Sequence, residues 1–337
     1  MKESDSSFIL THKIQVASYE AGFKNSSSMA KGVLLRLNNQ GVWGYSSLQP
    51  WTHLGDPKLD LNHINDILKS DLGQRALELA HLDAQARLTQ KKLLEDLPAY
   101  CHYSVLDFNQ VNRADLEEAL KVGYTHVKVK FGSNIEENIQ WLKSVWDLNF
   151  LKWRFDFNNQ LNEKLWESFC LELPDFLISK IEFIEDPFIF NEKTWKQAQR
   201  ILPLALDFQL VNSSKVRELV SKECAEYFIY KPSARKLPQG LEQKIVITSY
   251  MDHPIGVAHA LVEYQKLKKQ RVNMSVVSGL GTLSLFQDSM VVSKYIHQLH
   301  CDGPLLTIKT SGFGVGFEEA LEQESWQDIE SLMGVVG

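Results

Sequence analysis

From Cys101 onward the sequence keeps one rhythm. Short runs rich in β-branched and aromatic residues, CHYSVLD, HVKVK, LKWRFD, KIEFIED, PLALD, YFIYK, KIVITS and NMSVVSG, alternate with amphipathic stretches of helical spacing. Eight such runs separated by helices, at roughly 25 residues per unit, predict a parallel β/α barrel over residues 101–304. A doubly wound open sheet would alternate in the same way. The barrel is favoured because polar residues end strand after strand, and because no glycine-rich phosphate loop follows the first strand.

The first hundred residues have a different character. FILTHKIQVASY, GVLLRL and, after the turn-like NNQG, GVWGYSSL read as strands of a hairpin-like sheet, with polar AGFKNSSSMAK between the first two. From about Asp71 the spacing becomes helical, placing Leu77, Ala80, Ala84 and Leu88 on one face. Residues 1–100 are thus expected to form a small α+β unit. Residues 305–337 hold a strand and a glycine-rich turn in LLTIKTSGFGVGF, outside the barrel rhythm, and are expected to return to that unit.

Composition narrows the function classes. A chain of 337 residues with 44% hydrophobic and 23% charged residues can bury a sizeable core, and at about 150 residues per domain it suggests roughly two domains. The net charge of −6 gives no footprint for nucleic acid or for an anionic membrane surface. Cys101, Cys170, Cys224 and Cys301 are scattered without a CxxC spacing. The polar, acidic start MKESDSSFIL is unlike a signal peptide, and no apolar run reaches transmembrane length. A cytoplasmic protein acting on a small molecule is expected, with its oligomeric state left open.

The strand ends carry the chemistry. Lys128 and Lys130 close the second run, Asp156 the third, Glu185 the fourth, Asp207 the fifth and Lys231 the sixth. Catalytic groups of a β/α barrel collect at the C-terminal ends of its strands. A lone acid after a strand is usually a helix cap or a solvated loop residue. Three on consecutive strands, however, repel one another unless they are protonated or share a cation. A hard divalent ion such as Mg²⁺, or Mn²⁺ in its place, resolves that conflict. Asp186 is the cap or supporting member of its pair, and Asn158 steadies Asp156 or forms a turn.

Period-2 alternation puts Lys128 and Lys130 on one face of the second strand, the barrel interior. Neighbouring ammonium groups and a nearby dication lower a lysine's pKa, so one of the two could serve as a base. Strand six lies four strands from strand two in a ring of eight. Lys231 therefore faces Lys130 across the site. Two lysines flanking a metal-bound carboxylate suit proton abstraction beside that carboxylate, with cations stabilising the enediolate; general principles pair a lysine base with Mg²⁺ for this chemistry.

These residues resemble the muconate-lactonizing-enzyme branch of the enolase superfamily. The KxK of KVKFG, the Asp and Asn of RFDFN, the Glu of IEDP, the Asp of ALD, the Lys of YKPS, and the later TSYMDHPIG and SGLGT segments match in order over nearly the whole chain. The resemblance implies a modified (β/α)7β TIM-like barrel with an α+β capping domain. It implies Asp156, Glu185 and Asp207 as Mg²⁺ ligands, Lys130 and Lys231 as catalytic residues, and Lys128 as the residue that tunes Lys130. The branch's Ser-x-x-Glu segment appears as Ser249 to Asp252, with a shortened acid, so Ser249 is assigned to substrate and Asp252 to a supporting role. Phe208 stands where Glu is common. Ser278, Gly279 and Gly281 either offer a hydroxyl and backbone N–H groups to a substrate carboxylate or only form a turn.

Within the branch the motifs look most like the o-succinylbenzoate-forming dehydratases. N-acylamino-acid racemisation or dipeptide epimerisation with the same two lysines is the nearest alternative; a non-catalytic metal- or carboxylate-binding barrel is an alternative of another class. In the capping region, Lys24 to Ser28 are expected to form a lid or a plain surface loop, and Trp51 and His53 either line the substrate or only pack.

Overall fold

In the computed structural model, residues 12–24, 29–207, 223–286, 290–309 and 311–333 are described. Three antiparallel strands open the chain: β1 (Ile14–Gly22), β2 (Met29–Asn39) and β3 (Val42–Leu48). The NNQG turn between β2 and β3 places Gln40 and Gly41 at positive φ, the two-residue geometry that matches strand twist in a hairpin. The helix Asp71–Leu88, begun by Ser70 accepting from the Gly73 N–H, packs across this sheet. It comes so close at Gly44 that a Cβ there would lie 2.1 Å from Ala80 O. Leu77, Ala80 and Ala84 are buried as the helical spacing requires, whereas Leu88, in the last turn, is exposed.

All eight barrel runs are strands. The first is β4 (Ala99–Cys101) continued, past His102, by β5 (Tyr103–Val105). There follow β6 (His126–Lys130), β7 (Lys152–Asp156), β8 (Ile181–Glu185), β9 (Leu204–Leu206), β10 (Tyr227–Tyr230), β11 (Lys244–Ile247) and β12 (Val277–Ser278). Neighbours pair in parallel from β5 through to β11. The ring closes because β12 pairs with β4 and single bridges at Ile245–Met274 and Thr248–Gly279 join it to β11.

Alternation sorts the side chains. Val127, Val129, Phe155 and Phe157 face outward into the core beneath the surrounding helices, while Phe183, Ala205, Tyr227, Ile229 and Val246 form a separate inner cluster. One expected helix is missing: between β10 and β11 the chain makes turns. Pro232, Pro238 and Gly240 (φ +74°) in this segment account for it.

The C-terminal segment divides its contacts. β13 (Leu299–Asp302) and β14 (Leu305–Ile308) form a hairpin whose second strand runs antiparallel to β4, on the barrel. β15 (Gln327–Asp328) pairs with β1 of the N-terminal sheet, and Trp326 beside it packs on Arg36 and Tyr45. Before it, buried Asp83 accepts from the N–H groups of Tyr45 and Val315, and Arg87 bonds Asp83, Glu318 and Gly316 O, tying the Asp71–Leu88 helix to the SGFGVGF turn. The four cysteines are free thiols. Among the described residues no helix is long and apolar enough to cross a membrane.

Candidate active site at the barrel mouth

Three acids and three lysines meet where the parallel strands end. Asp156, Glu185 and Asp207 are buried on strands three, four and five. The Lys128 ammonium stands between the first two, 2.9 Å from Asp156 Oδ2 and 2.7 Å from Glu185 Oε2. Lys231 donates to Asp207 Oδ2 at 2.5 Å. Lys130 is exposed at the rim and makes no hydrogen bond or ion pair among the described residues.

The electrostatics follow from this packing. Burial disfavours the Lys128 ammonium, but the carboxylates of Asp156, Glu185 and Asp207 outweigh it and hold the group above an ordinary lysine. Lys128 is thus held as an ammonium beside the acids, whereas Lys130 has no such carboxylate partner among the described residues. Burial raises Asp156, yet the charges of Lys128 and Lys130 bring it below the usual carboxylate range. Glu185 is pushed well above that range, first by burial and then by the charge of Asp156.

Asp186 follows Glu185 at φ +40°, with burial and then Asp207 pushing its carboxyl up to about 8. Its Oδ1 accepts from the Asp207 N–H at 3.0 Å, fixing the strand-five acid against strand four. Asn158 acts through its backbone, its N–H donating to Asp156 Oδ1 at 3.1 Å from a left-handed turn.

Other expected residues fall at varying distance from the lysines. Ser249 Oγ accepts from Thr282 Oγ1 at 2.7 Å and from the Asp252 N–H. Asp252 is buried and accepts from Ser233 Oγ and the Tyr250 N–H; burial lifts it to about 6 against those bonds. It thus braces the turn after strand seven. Ser278, expected to offer a hydroxyl to substrate, donates instead to Tyr100 O beside Cys101 Sγ. Gly281 likewise packs against Cys101. Gly279 alone of that group lies inward: a Cβ there would come within 2.7 Å of Thr248 Cγ2 and 3.0 Å of His102 Cε1.

The capping sheet grips this mouth. Gln49 donates to Met251 O, which sits at φ +57°, and Trp51 Nε1 donates to Tyr250 O at 2.8 Å. Tyr250 Oη reaches Asp56 Oδ2 at 2.7 Å, and its ring lies under the Lys231 ammonium. Trp51 packs on Phe23, which packs in turn on Phe286 after strand eight. His53 is exposed beside Trp51. Of the expected lid only Lys24 is described; its N–H donates to Leu285 O. Residues 25–28 and Phe208 lie outside the described residues. Sequence reasoning missed Tyr250, Asp56 and the buried His102, since single residues on separate loops leave no spacing to read.

The donor set suits a hard divalent cation: three oxygen-ligand carboxylates on adjacent strands, buried, with their repulsion compensated by two ammonium groups. Among the described residues no three such groups already surround one point; Lys128 stands between Asp156 and Glu185, and Lys231 is paired with Asp207.

Comparison with known proteins agrees with the fold. Residues 14–86 match the family described as o-succinylbenzoate synthase, N-terminal domain. The chain is 28% identical over 316 residues to an o-succinylbenzoate synthase of Bdellovibrio bacteriovorus, covering 90% of this chain and 93% of that one. Among solved structures, muconate lactonizing enzyme from Pseudomonas putida superposes with a TM-score of 0.67 at 15% identity, over 95% of this chain and 98% of that one. A dipeptide epimerase from Enterococcus faecalis, complexed with Mg and the dipeptide L-Leu-L-Tyr, gives a TM-score of 0.70 at 15% identity, over 90% and 98%.

Proposed function

We propose that this enzyme, which has the fold and the ordered strand-end motifs of the enolase superfamily, eliminates water from a succinyl-substituted hydroxycyclohexadiene carboxylate to give o-succinylbenzoate, a step of menaquinone synthesis. The observation that carries the mechanism is the division of labour among the lysines: Lys128 and Lys231 are paired with carboxylates, and Lys130, exposed at the rim, has no such partner among the described residues.

Asp156, Glu185 and Asp207 would hold Mg²⁺. When bound, the ion supplies positive charge for the substrate carboxylate as it gains electron density. Lys130 Nζ removes the proton α to that carboxylate, and the C–H electron pair enters the carboxylate as an enediolate. Lys231, four strands away around the ring, presents its ammonium to the opposite face. The same Lys130, now protonated, returns the proton to the departing hydroxyl on its own face. The C–O bond breaks, water leaves, and the ring becomes aromatic. Lys128 keeps a fixed positive charge beneath the acids throughout.

The capping-domain match and the relative's name support the substrate. The test is ultraviolet detection of the aromatic product from the cyclohexadiene carboxylate with and without Mg²⁺. Wild type is expected to form it only with the ion, and Lys130→Ala to lose turnover by at least a thousandfold while still binding Mg²⁺. Aromatic product at normal rate from that variant would remove Lys130 as the base. Exchange of the α-proton of N-acylamino acids in D₂O without any dehydration would instead support the racemase reading, which the same two opposed lysines permit.

A further inference from the structure

The first barrel strand holds a donor that this mechanism does not use. His102 sits at the break in the first barrel strand, with 6% of its surface accessible, and its backbone N–H donates to Ser278 O, fixing it to strand eight. Arg154 is fully buried on strand three and is committed on every side: Nε to Glu182 Oε2 at 2.8 Å, one terminal nitrogen to Ser275 Oγ and Val277 O, and the other to His102 Nδ1 at 2.7 Å. A guanidinium only donates. Nδ1 must therefore accept.

Burial, and then the charges of Arg154, Lys128 and His126, keep the imidazole neutral. A neutral ring that accepts at Nδ1 carries its proton on Nε2. That Nε2–H has no partner among the described residues. The adjoining Cε1 borders Gly279, the inward position of strand eight, with Thr248 of strand seven beside it.

Position in the ring gives this donor its use. The acids occupy strands three to five, and the lysines flank them on two and six. Strands seven, eight and one, which bring Thr248, Gly279 and His102 together, lie across the ring from the acids. We propose that His102 Nε2–H is a fixed hydrogen-bond donor to a carboxylate at the remote end of the substrate, and that Arg154 is the positioning residue that sets its tautomer. The identity of that remote group, the succinyl carboxylate, rests on the reaction proposed above.

The test compares two ligands by calorimetry on the Mg²⁺-loaded enzyme: o-succinylbenzoate, which has the remote carboxylate, and benzoate, which lacks it. In His102→Asn the amide oxygen can still accept from Arg154, but no donor remains at the outer position. The variant is expected to lose about tenfold or more of the preference for o-succinylbenzoate, the usual size for a hydrogen bond to a charged acceptor, with benzoate affinity unchanged. An unchanged preference, an equal loss for both ligands, or no preference in wild type would overturn the proposal. Nitrogen-15 NMR of wild type gives a second reading independent of any variant's folding: Nε2 protonated is expected, and an Nδ1 proton would overturn the assignment. If the preference is present and His102-dependent but the cyclohexadiene carboxylate is not dehydrated, the reaction fails and the donor stands.

Discussion

Replacing Arg154 with Met isolates the buried ionic group beneath the active site. The side chain is 0% exposed and bonds Glu182 Oε2, His102 Nδ1, Ser275 Oγ and Val277 O. Removing it leaves the buried Glu182 carboxylate, among the described residues, with Ser275 Oγ at 3.1 Å and His126 Nε2 at 3.6 Å. Breaking one side of a buried ion pair costs about 3–5 kcal/mol. At a urea slope of about 3 kcal/mol/M, this moves the unfolding midpoint down by about 1–1.7 M, followed by tryptophan fluorescence.

The pH dependence separates this cause from simple loss of packing. In wild type, burial raises Glu182 but the charge and hydrogen bond of Arg154 outweigh it, so the folded pKa lies below the ordinary value. Its contribution is present above the unfolded pKa, about 4.3, and is lost as pH falls through the folded value. In the variant, burial acts without Arg154 and the folded pKa rises above the unfolded one. The penalty is then complete at high pH and shrinks as Glu182 takes up a proton, so the gap between the two proteins should narrow from pH 8 to pH 5. Adding Glu182→Gln should recover most of the loss. A loss under about 1 kcal/mol, or one that neither pH nor Glu182→Gln relieves, would refute this account.

Two further expectations concern the junction of cap and barrel. Burial pulls buried His259 down to about 4, with the Tyr45 O bond opposing and the charges of Arg75 and Arg87 assisting. The stability from its neutral ring is complete above about pH 6.5 and is lost toward pH 4, because the unfolded ring takes up the proton first. His259→Gln should therefore reduce proton uptake on unfolding near pH 5 by about one, measured as the slope of stability against pH. Tyr250→Phe removes the hydroxyl from Asp56 and keeps the ring under Lys231; KM for the cyclohexadiene carboxylate should rise about threefold to tenfold with kcat nearly unchanged, and a fall confined to kcat in steady-state kinetics would contradict the clamp.

The sequence alone determined the order and facing of the strand ends. In HVKVK and KWRFD the alternation of valine, tryptophan and phenylalanine with lysine, arginine and aspartate is a two-residue period that needs no partner to be read, and every one of the eight runs is a strand. The same logic failed where a strand is too short to show a period. β12 has two residues, so only its pairing with β4 decided that Ser278 turns toward Cys101 and Gly279 toward the mouth. Prolines and a glycine overrode the expected helix before β11, and the last segment split between the barrel edge and the cap sheet through pairings more than 200 residues apart in sequence.

Which carboxylates Lys128 meets, which nitrogen of His102 faces Arg154, and how Gln49, Trp51 and Asp56 hold the loop after strand seven were decided by the tertiary structure. Each depends on distances between residues that only ring closure and the docking of the cap bring together. Local pattern fixes the direction a side chain takes from its own strand; the partner it meets is fixed by the fold.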